Sequence, residues 1–410
     1  MLKFSRINRS IITILYLVFM CVMSVVAFKA DFVSDIRVNT LGVVIYLVIF
    51  VLSVCFYQVF KRKIKEKTGN EKICLLYKSL YLAVLVIISR IVMAFVFKNH
   101  ISTEVVLVDN VSLSKYILDF IVNITHEAKY APLILNSLFT FINAMLIKQI
   151  MTNLLDNDAV ATTAAIAYML TPLSLINSVQ YNSLMFNTTF VLLGLLLINK
   201  IYDEIINYGD KSTKYIILTL ILSLVVSLDI LFGGSLSAWV IILLVLFVTT
   251  DYVDGEYIKR FEAIKKILKG SKEIVIKKSI IVLVLVVIIA SIVSGIVYGL
   301  GLNNIGVFVN DNWIETLNTI FGPFRVLFII LGIIVALSEI VSFALKRKNG
   351  TKVVLVQTMI LIYGLISVLY VNEEYGLCIF EALFSMSFLL STGNIYYNRN
   401  EKIKLLKAKN

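Results

Sequence analysis

The stretch that decides the fold runs from Lys98 to Pro132 and reads KNHISTEVVLVDNVSLSKYILDFIVNITHEAKYAP. It is the longest break between strongly apolar segments that is not simply basic, and its first half contains an acidic step at Asp109. Its second half has the spacing of an amphipathic helix, with Leu113, Ile117, Phe120, Ile121 and Ile124 on one face. A helix this amphipathic, and too polar to span a bilayer, is expected to lie in the membrane interface. We therefore predict an interfacial helix from Ser112 to Glu127.

The segments on both sides of this stretch have the composition of membrane spans. The chain has 410 residues, of which 59% are hydrophobic, and its mean hydropathy is +0.92. No soluble globular domain of this size needs so large an apolar fraction. About twelve stretches are each long enough to cross the hydrocarbon core: 10–28, 41–60, 74–97, 133–152, 159–178, 183–201, 215–232, 235–251, 279–300, 324–345, 353–371 and 376–395. The sequence therefore predicts an all-α, polytopic transmembrane helical bundle.

The distribution of Lys and Arg predicts the orientation of this bundle. Clusters of basic residues lie in alternating loops, at 61–67, 259–272, 346–348 and 402–409. The positive-inside rule then places both termini in the cytoplasm and residues 98–132 outside, in a plasma membrane. The formal net charge of +12 is thereby explained without a nucleic-acid partner, and membrane lipids are the expected surroundings.

Four regions follow from this organisation. Residues 1–73 form an N-terminal two-span hairpin with a basic cytoplasmic loop, and residues 74–251 form the core spans with the outer loop 98–132. Residues 252–278 are predicted as a basic amphipathic helix on the anionic inner leaflet. Residues 279–410 carry the C-terminal spans and a basic tail.

Ionisable residues inside predicted spans are the first candidates for function. Arg90 and Asp229 lie towards the outer ends of their spans, and a charge there is usually paired or lines a cavity. The alternative for each is that the side chain snorkels to the interface. Lys148 lies near the cytoplasmic end of its span, and snorkelling is the interpretation that we prefer for it.

The sequence contains no pattern typical of a metal site. Its four cysteines fall within or beside apolar segments without CxxC spacing, and its two histidines, His100 and His126, are too few for a histidine cage. We predict no protein metal site and no required cofactor, and we leave the need for a divalent cation open.

A series of short motifs begins in the outer loop. Asp109 is followed by the predicted interfacial helix, by Tyr130-Ala131-Pro132 at the entry to the next span, and by the Ala-rich run Ala159 to Ala167. Pro172, Asn177-Ser178 and the polar cluster Gln180-Tyr181-Asn182 come next. This order resembles the C-type (GT-C) integral-membrane glycosyltransferases, particularly bacterial relatives of the dolichyl-phosphate-mannose mannosyltransferases. The resemblance covers about residues 80–200.

The resemblance implies an enzyme that moves a sugar from a polyprenyl-phosphate carrier to a cell-envelope or protein acceptor. Asp109 takes the place of the catalytic loop carboxylate, which acts as a general base. Arg90 or Lys98 is suited to stabilise the phosphate leaving group by charge. The implied substrate contacts are Arg90, Lys98, His100, Tyr130, Gln180, Asn182 and Asp229. We expect Arg90, Asp109 and Asp229 to border one outer cavity.

Three departures from the family pattern keep other interpretations open. The Tyr-Pro-Pro step of the family is Tyr130-Ala131-Pro132 here. Asn110 stands where a second acidic residue is usual, and Gln180-Tyr181-Asn182 lacks a carboxylate. Asp109 is also a plausible helix-capping residue. The alternatives are a secondary transporter or lipid-linked saccharide flippase, or a degenerate non-catalytic GT-C-like membrane protein. A polar path that continues to the cytoplasmic side favours transport, and an acidic residue beside an interfacial helix favours the enzyme.

Overall fold

A computed structural model of the chain describes the residues 52, 56, 71–96, 120, 122–124, 131–155, 158–169, 174, 184–208, 214–232, 234, 236–249, 252–253, 256–257, 274–299, 330, 332–334, 336–337, 340, 351–369, 379–380 and 382–386. The first predicted span, and all of the second except residues 52 and 56, lie outside this set.

The described part of the chain contains eight long helices and two short strands. In chain order they are α1 (Glu71–Val96), α2 (Ala131–Leu155), α3 (Asp158–Met169), α4 (Leu184–Tyr208), α5 (Lys214–Leu231), α6 (Leu236–Thr249), β1 (Tyr252–Val253), β2 (Glu256–Tyr257), α7 (Ile274–Gly299) and α8 (Thr351–Leu369). The described residues within 330–340 and 379–386 are also helical.

Each of the eight helices overlaps one of the predicted spans. The prediction 133–152 corresponds to α2, and the prediction 215–232 corresponds to α5, each within three residues at both ends. Pro132 is the second residue of α2, where its missing N–H costs no hydrogen bond. The helical fold class is therefore confirmed for the described residues, and the number of twelve spans stays a prediction.

Three helices are long and apolar enough to cross a membrane, within the part of the chain that the structure describes. Their apolar windows are Leu133–Leu155, Met185–Glu204 and Lys214–Leu231. Shorter apolar stretches occur in α1, α3, α6, α7 and α8. This composition associates the protein with a membrane.

The outward faces of the helices are apolar. On α5 the exposed large side chains are Ile216, Ile217, Leu220, Ile221 and Leu224, and on α7 they are Ile281, Val284, Ile288, Ile292 and Ile296. The buried face of α5 instead carries the hydroxyl residues Thr219, Ser223 and Ser227. A helix in water shows the opposite arrangement, with its polar face outwards. The surroundings that fit this arrangement are lipid chains.

The core of the bundle is centred on α4. This helix packs against α2, α5 and α7, and 72% of its apolar window is buried, compared with 44% in α2 and 50% in α5. One continuous cluster of buried apolar residues includes side chains from all eight helices. The Ala-rich α3 is buried from Ala161 to Met169 and packs closely against α2, because alanine lets two backbones approach.

A glycine in α4 makes room for the largest buried side chain. A Cβ atom built at Gly194 would overlap the ring of Trp239, which belongs to α6 and is fully buried. The position of the Trp239 ring against α4 therefore requires a residue without a side chain at position 194.

We expect Gly194→Ala to lower the free energy of unfolding by about 1–3 kcal/mol, because the added methyl group must displace the indole ring. The matched control is Gly295→Ala in α7, where an added Cβ meets nothing within 4 Å. That change should be neutral or stabilising by about 0.4–1 kcal/mol. Thermal unfolding of both purified variants in detergent checks the prediction, and equal behaviour of the two variants would contradict it.

The segment after α6 does not begin with the helix that the sequence predicts over residues 252–278. Tyr252 and Val253 pair in antiparallel register with Tyr257 and Glu256, so the helix predicted over 252–278 is wrong at its start. The sequence places Asp254-Gly255 between the two strands, and this dipeptide favours a two-residue hairpin turn. At its other end the predicted segment runs into α7, which begins at Ile274 rather than at 279.

The structure also contradicts the interpretation of Lys148 as a residue that snorkels to the interface. Its side chain is only 8% exposed, and its Nζ lies 3.7 Å from Oδ1 of Asp158. Asp158 is the first residue of α3, where a carboxylate also interacts favourably with the helix dipole. The ion pair joins α2 and α3 beside the short connection between them.

Candidate functional site

Arg90 lies inside the helical bundle. It is in the second half of α1 and is only 2% exposed, so it does not snorkel out of the bundle. Its Nη2 donates hydrogen bonds to Oγ1 of Thr140, at 3.2 Å, and to Oγ of Ser174, at 2.8 Å. A charge at such a depth is costly, and intramembrane ionisable residues typically mark a functional site. Arg90 is therefore the strongest candidate in the described part of the chain.

A second group of polar side chains is centred on Asn143, which lies one turn after Thr140 in α2. Asn143 Nδ2 donates to the Tyr168 hydroxyl at 3.1 Å, and its Oδ1 accepts from the Thr189 hydroxyl at 2.7 Å. All three residues are buried, and they join α2, α3 and α4. Neither Thr140 nor Asn143 was among the predicted site residues. The available signal was a threonine and an asparagine three residues apart, which places them on one face of a predicted span.

A third group is centred on Asp229, which is fully buried near the end of α5. Its Oδ1 accepts a hydrogen bond from Asn187 Nδ2 at 2.9 Å, and its Oδ2 accepts from Trp239 Nε1 at 2.8 Å. Its backbone carbonyl accepts from the Gly234 N–H at 2.7 Å. A Cβ atom at position 234 would overlap the carboxylate. The carboxylate thus ties α4 and α6 to the end of α5.

Asp229 and Arg90 belong to different hydrogen-bond groups. Both oxygens of the Asp229 carboxylate are already held by protein donors, which indicates that this residue positions helices. Its predicted contact with substrate stays a prediction, as does the cavity shared by Arg90, Asp109 and Asp229.

Four phenylalanine rings pack together at the end of the bundle that contains Asp229. Phe186 lies between Phe139, at a centroid distance of 4.2 Å, and Phe232, at 4.9 Å, and Phe190 lies 5.4 Å from Phe232. Val122 packs against the cluster that contains Phe186 and Phe232. We call these four rings the aromatic cluster. It lies where α2 and α4 begin and where α5 ends.

The predicted interfacial helix can be checked at four residues. Phe120, Val122, Asn123 and Ile124 are helical, as predicted. Phe120 is 64% exposed and Ile124 is 61% exposed, so the apolar face is directed away from the bundle. This fits a helix whose apolar face meets lipid.

The remaining predicted site residues lie outside the described residues. They are the catalytic candidate Asp109 and the substrate-binding candidates Lys98, His100, Tyr130, Gln180 and Asn182. Within the described part, no three His, Cys, Asp or Glu side chains are grouped as metal ligands. The predictions about metal and cofactor are not tested by this observation.

Comparison with known proteins gave no match to a protein family, to a curated protein or to a solved structure.

Proposed function

We propose that this protein is a polytopic glycosyltransferase of the GT-C type, with about twelve spans, in a plasma membrane. It transfers a sugar from a polyprenyl-phosphate carrier to a cell-envelope or protein acceptor on the outer face. The proposal combines the order of motifs between residues 80 and 200 with the apolar outer faces of the described helices.

The observation that carries this proposal is the buried guanidinium of Arg90. An arginine inside a span costs about 2.5–3.5 kcal/mol on insertion scales, so its presence there favours a functional role. A planar guanidinium is suited to phosphate, because it presents several N–H donors in a fixed geometry. Thr140, which binds Arg90, lies in the same half of α2 as Ala131 and Leu135, two residues of the cluster against which Val122 packs. That half of α2 is the outer half if the lysine distribution sets the orientation.

The proposed chemistry is a direct displacement at the anomeric carbon. The acceptor hydroxyl loses its proton to Asp109 while its oxygen bonds to that carbon. The bond from the carbon to the phosphate oxygen breaks, and the lipid phosphate leaves with the electron pair. A nearby cation, Arg90 or Lys98, stabilises the negative charge that develops on the leaving oxygen. A divalent cation remains an optional addition to this scheme.

The lipid carrier fits the same end of the bundle. Phe120 and Ile124 are exposed apolar side chains two residues before and after Val122, which packs against the cluster that contains Phe186 and Phe232. A long prenyl chain needs an apolar surface that opens to the bilayer. This arrangement supports a substrate that approaches from the membrane.

The proposed orientation has its own test. With both termini cytoplasmic and residues 98–132 outside, a Ser114→Cys variant is expected to react with a membrane-impermeant thiol reagent in intact cells. The four natural cysteines are first replaced by serine or alanine to remove background labelling. A Ser271→Cys variant in the predicted cytoplasmic segment serves as the control and should react only after lysis. Labelling of position 114 only after lysis would reverse the topology.

The proposed activity is tested by a transfer assay in membranes that contain the full-length protein. A panel of radiolabelled polyprenyl-phosphate sugars is supplied, and labelled acceptor is measured against membranes without the protein. Transfer from at least one donor supports the glycosyltransferase. Absence of transfer across the panel would instead favour the transporter, flippase or non-catalytic alternative.

A further inference from the structure

The Thr140 hydroxyl lacks a hydrogen bond that several other hydroxyls in the described helices make. Several serine and threonine hydroxyls in the described helices donate to the backbone carbonyl four residues earlier: Ser137, Thr152, Thr162, Thr219, Ser223 and Ser227. This bond is the usual one for a hydroxyl inside a helix. Thr140 does not make it, although Asn136 precedes it by four residues in the same helix.

Thr140 and Ser174 instead accept hydrogen bonds from the same nitrogen, Nη2 of Arg90. Thr140 is fully buried and Ser174 is 3% exposed. A hydroxyl has one donor and two acceptor sites, so each group still has its proton to donate. Neither proton has an acceptor among the residues that the structure describes. A buried donor that lacks an acceptor is costly, and such groups call for a partner.

We infer that Thr140 and Ser174 are ligands of a phosphate group and that, with Arg90, they form one oxyanion-binding subsite. A hydroxyl that accepts from a guanidinium directs its own proton elsewhere, so it can donate to an anion that the guanidinium also attracts. An oxyanion then receives two O–H donors next to a positive charge, and hydrogen bonds of this kind are short and strong. The inference rests on the proposed function for the source of the phosphate, which is the lipid monophosphate of the sugar carrier.

Phosphate is favoured over a carboxylate because of the number of donors. Two hydroxyls that belong to different segments of the chain both lie within hydrogen-bond distance of Nη2 of the Arg90 guanidinium. Once the sugar has left, the lipid phosphate is a monoester that offers three terminal oxygens to such a set. The sugar-loaded carrier is a diester and offers two, as a carboxylate does, so the subsite fits the phosphate leaving group best.

The test is a binding measurement on the full-length protein in phosphatidylcholine nanodiscs, with radiolabelled farnesyl phosphate as the probe. Thr140→Val and Ser174→Ala are each expected to weaken its binding about tenfold, because each removes one hydrogen bond to a charged group. Thr140→Ser should bind like the unmodified protein, since it keeps the hydroxyl. Thr219→Val is the matched control, because its hydroxyl bonds to the Tyr215 carbonyl within α5.

Competition distinguishes the possible sources of the phosphate. Displacement by unlabelled farnesyl phosphate, but not by farnesol, shows that the phosphate is recognised. Displacement by inorganic phosphate at the same concentration would identify a free phosphate as the ligand. Weakened binding when phosphatidylglycerol replaces part of the phosphatidylcholine would identify a phospholipid headgroup.

The outcomes for the subsite and for the enzyme are separable. Unchanged affinity in both Thr140→Val and Ser174→Ala, or no binding of any phosphate probe, would overturn the subsite even if sugar transfer occurs. Binding that depends on these hydroxyls without sugar transfer would support the subsite and reject the glycosyltransferase. Thermal unfolding of each variant confirms that a weakened affinity does not come from loss of the fold.

Discussion

Asp109→Asn is expected to lower sugar transfer by about 10²–10⁴-fold while the protein stays folded and inserted. The acceptor hydroxyl must lose its proton during attack, and a positioned carboxylate contributes this factor. An asparagine has nearly the same shape and caps a helix as well as an aspartate does. A purely structural aspartate should therefore tolerate the change. The measurement is transfer from a radiolabelled polyprenyl-phosphate sugar in membranes with matched expression.

The matched control for this change is Asp119→Asn, which lies on the polar face of the predicted interfacial helix. It removes a carboxylate from the same loop and should keep nearly full activity. Undiminished transfer by Asp109→Asn would move the general base elsewhere, and Glu104 and Asp119 would be the next residues to test.

Among the substitutions proposed for this protein, Asp229→Ala is expected to lower the free energy of unfolding most. The change leaves the Trp239 Nε1–H without its acceptor in a fully buried place, and the Asn187 amide keeps only its 3.2 Å hydrogen bond to the Asp229 backbone carbonyl. Each unsatisfied buried donor costs about 1–3 kcal/mol, and the truncated side chain also leaves a cavity. We therefore expect a marked fall in the unfolding temperature of the purified protein in detergent.

Asp229→Asn provides the comparison for this prediction. Its one side-chain oxygen still accepts a hydrogen bond from either Trp239 or Asn187, so its loss of stability should be smaller than that of the alanine variant. If both variants unfold at the temperature of the unmodified protein, the carboxylate does not hold the three helices together. If both are stable but inactive in the transfer assay, Asp229 contacts substrate, as the sequence predicts.

The helices were predictable because hydropathy is a local property. The α2 and α5 spans follow from runs of apolar residues, whose lengths match the hydrocarbon thickness whatever their neighbours are. The hairpin at Tyr252–Tyr257 was missed because the apolar spacing after it was extended backwards across Asp254-Gly255. That dipeptide is itself a strong local turn signal.

The surroundings of the candidate residues were not predictable in this way. Arg90 was identified as a buried or snorkelling charge, but its partners are 50 and 84 residues away in the chain. The same holds for Trp239, whose ring depends on a glycine in another helix. Such contacts follow from how helices pack, and a single sequence contains no direct record of that packing.

The hydrogen bond between Asp229 and Trp239 has a consequence for the insertion of the protein into the bilayer. On its own, α5 would carry a carboxylate into the membrane at a cost of about 2.5–3.5 kcal/mol. Its Trp239 donor belongs to the next helix, and only residues 232–235 separate α5 from α6. We expect the two helices to leave the translocation channel together as a hairpin, since the indole then reaches the carboxylate before either helix meets lipid alone. The order of synthesis along the chain therefore allows a costly residue to enter the membrane with its partner beside it.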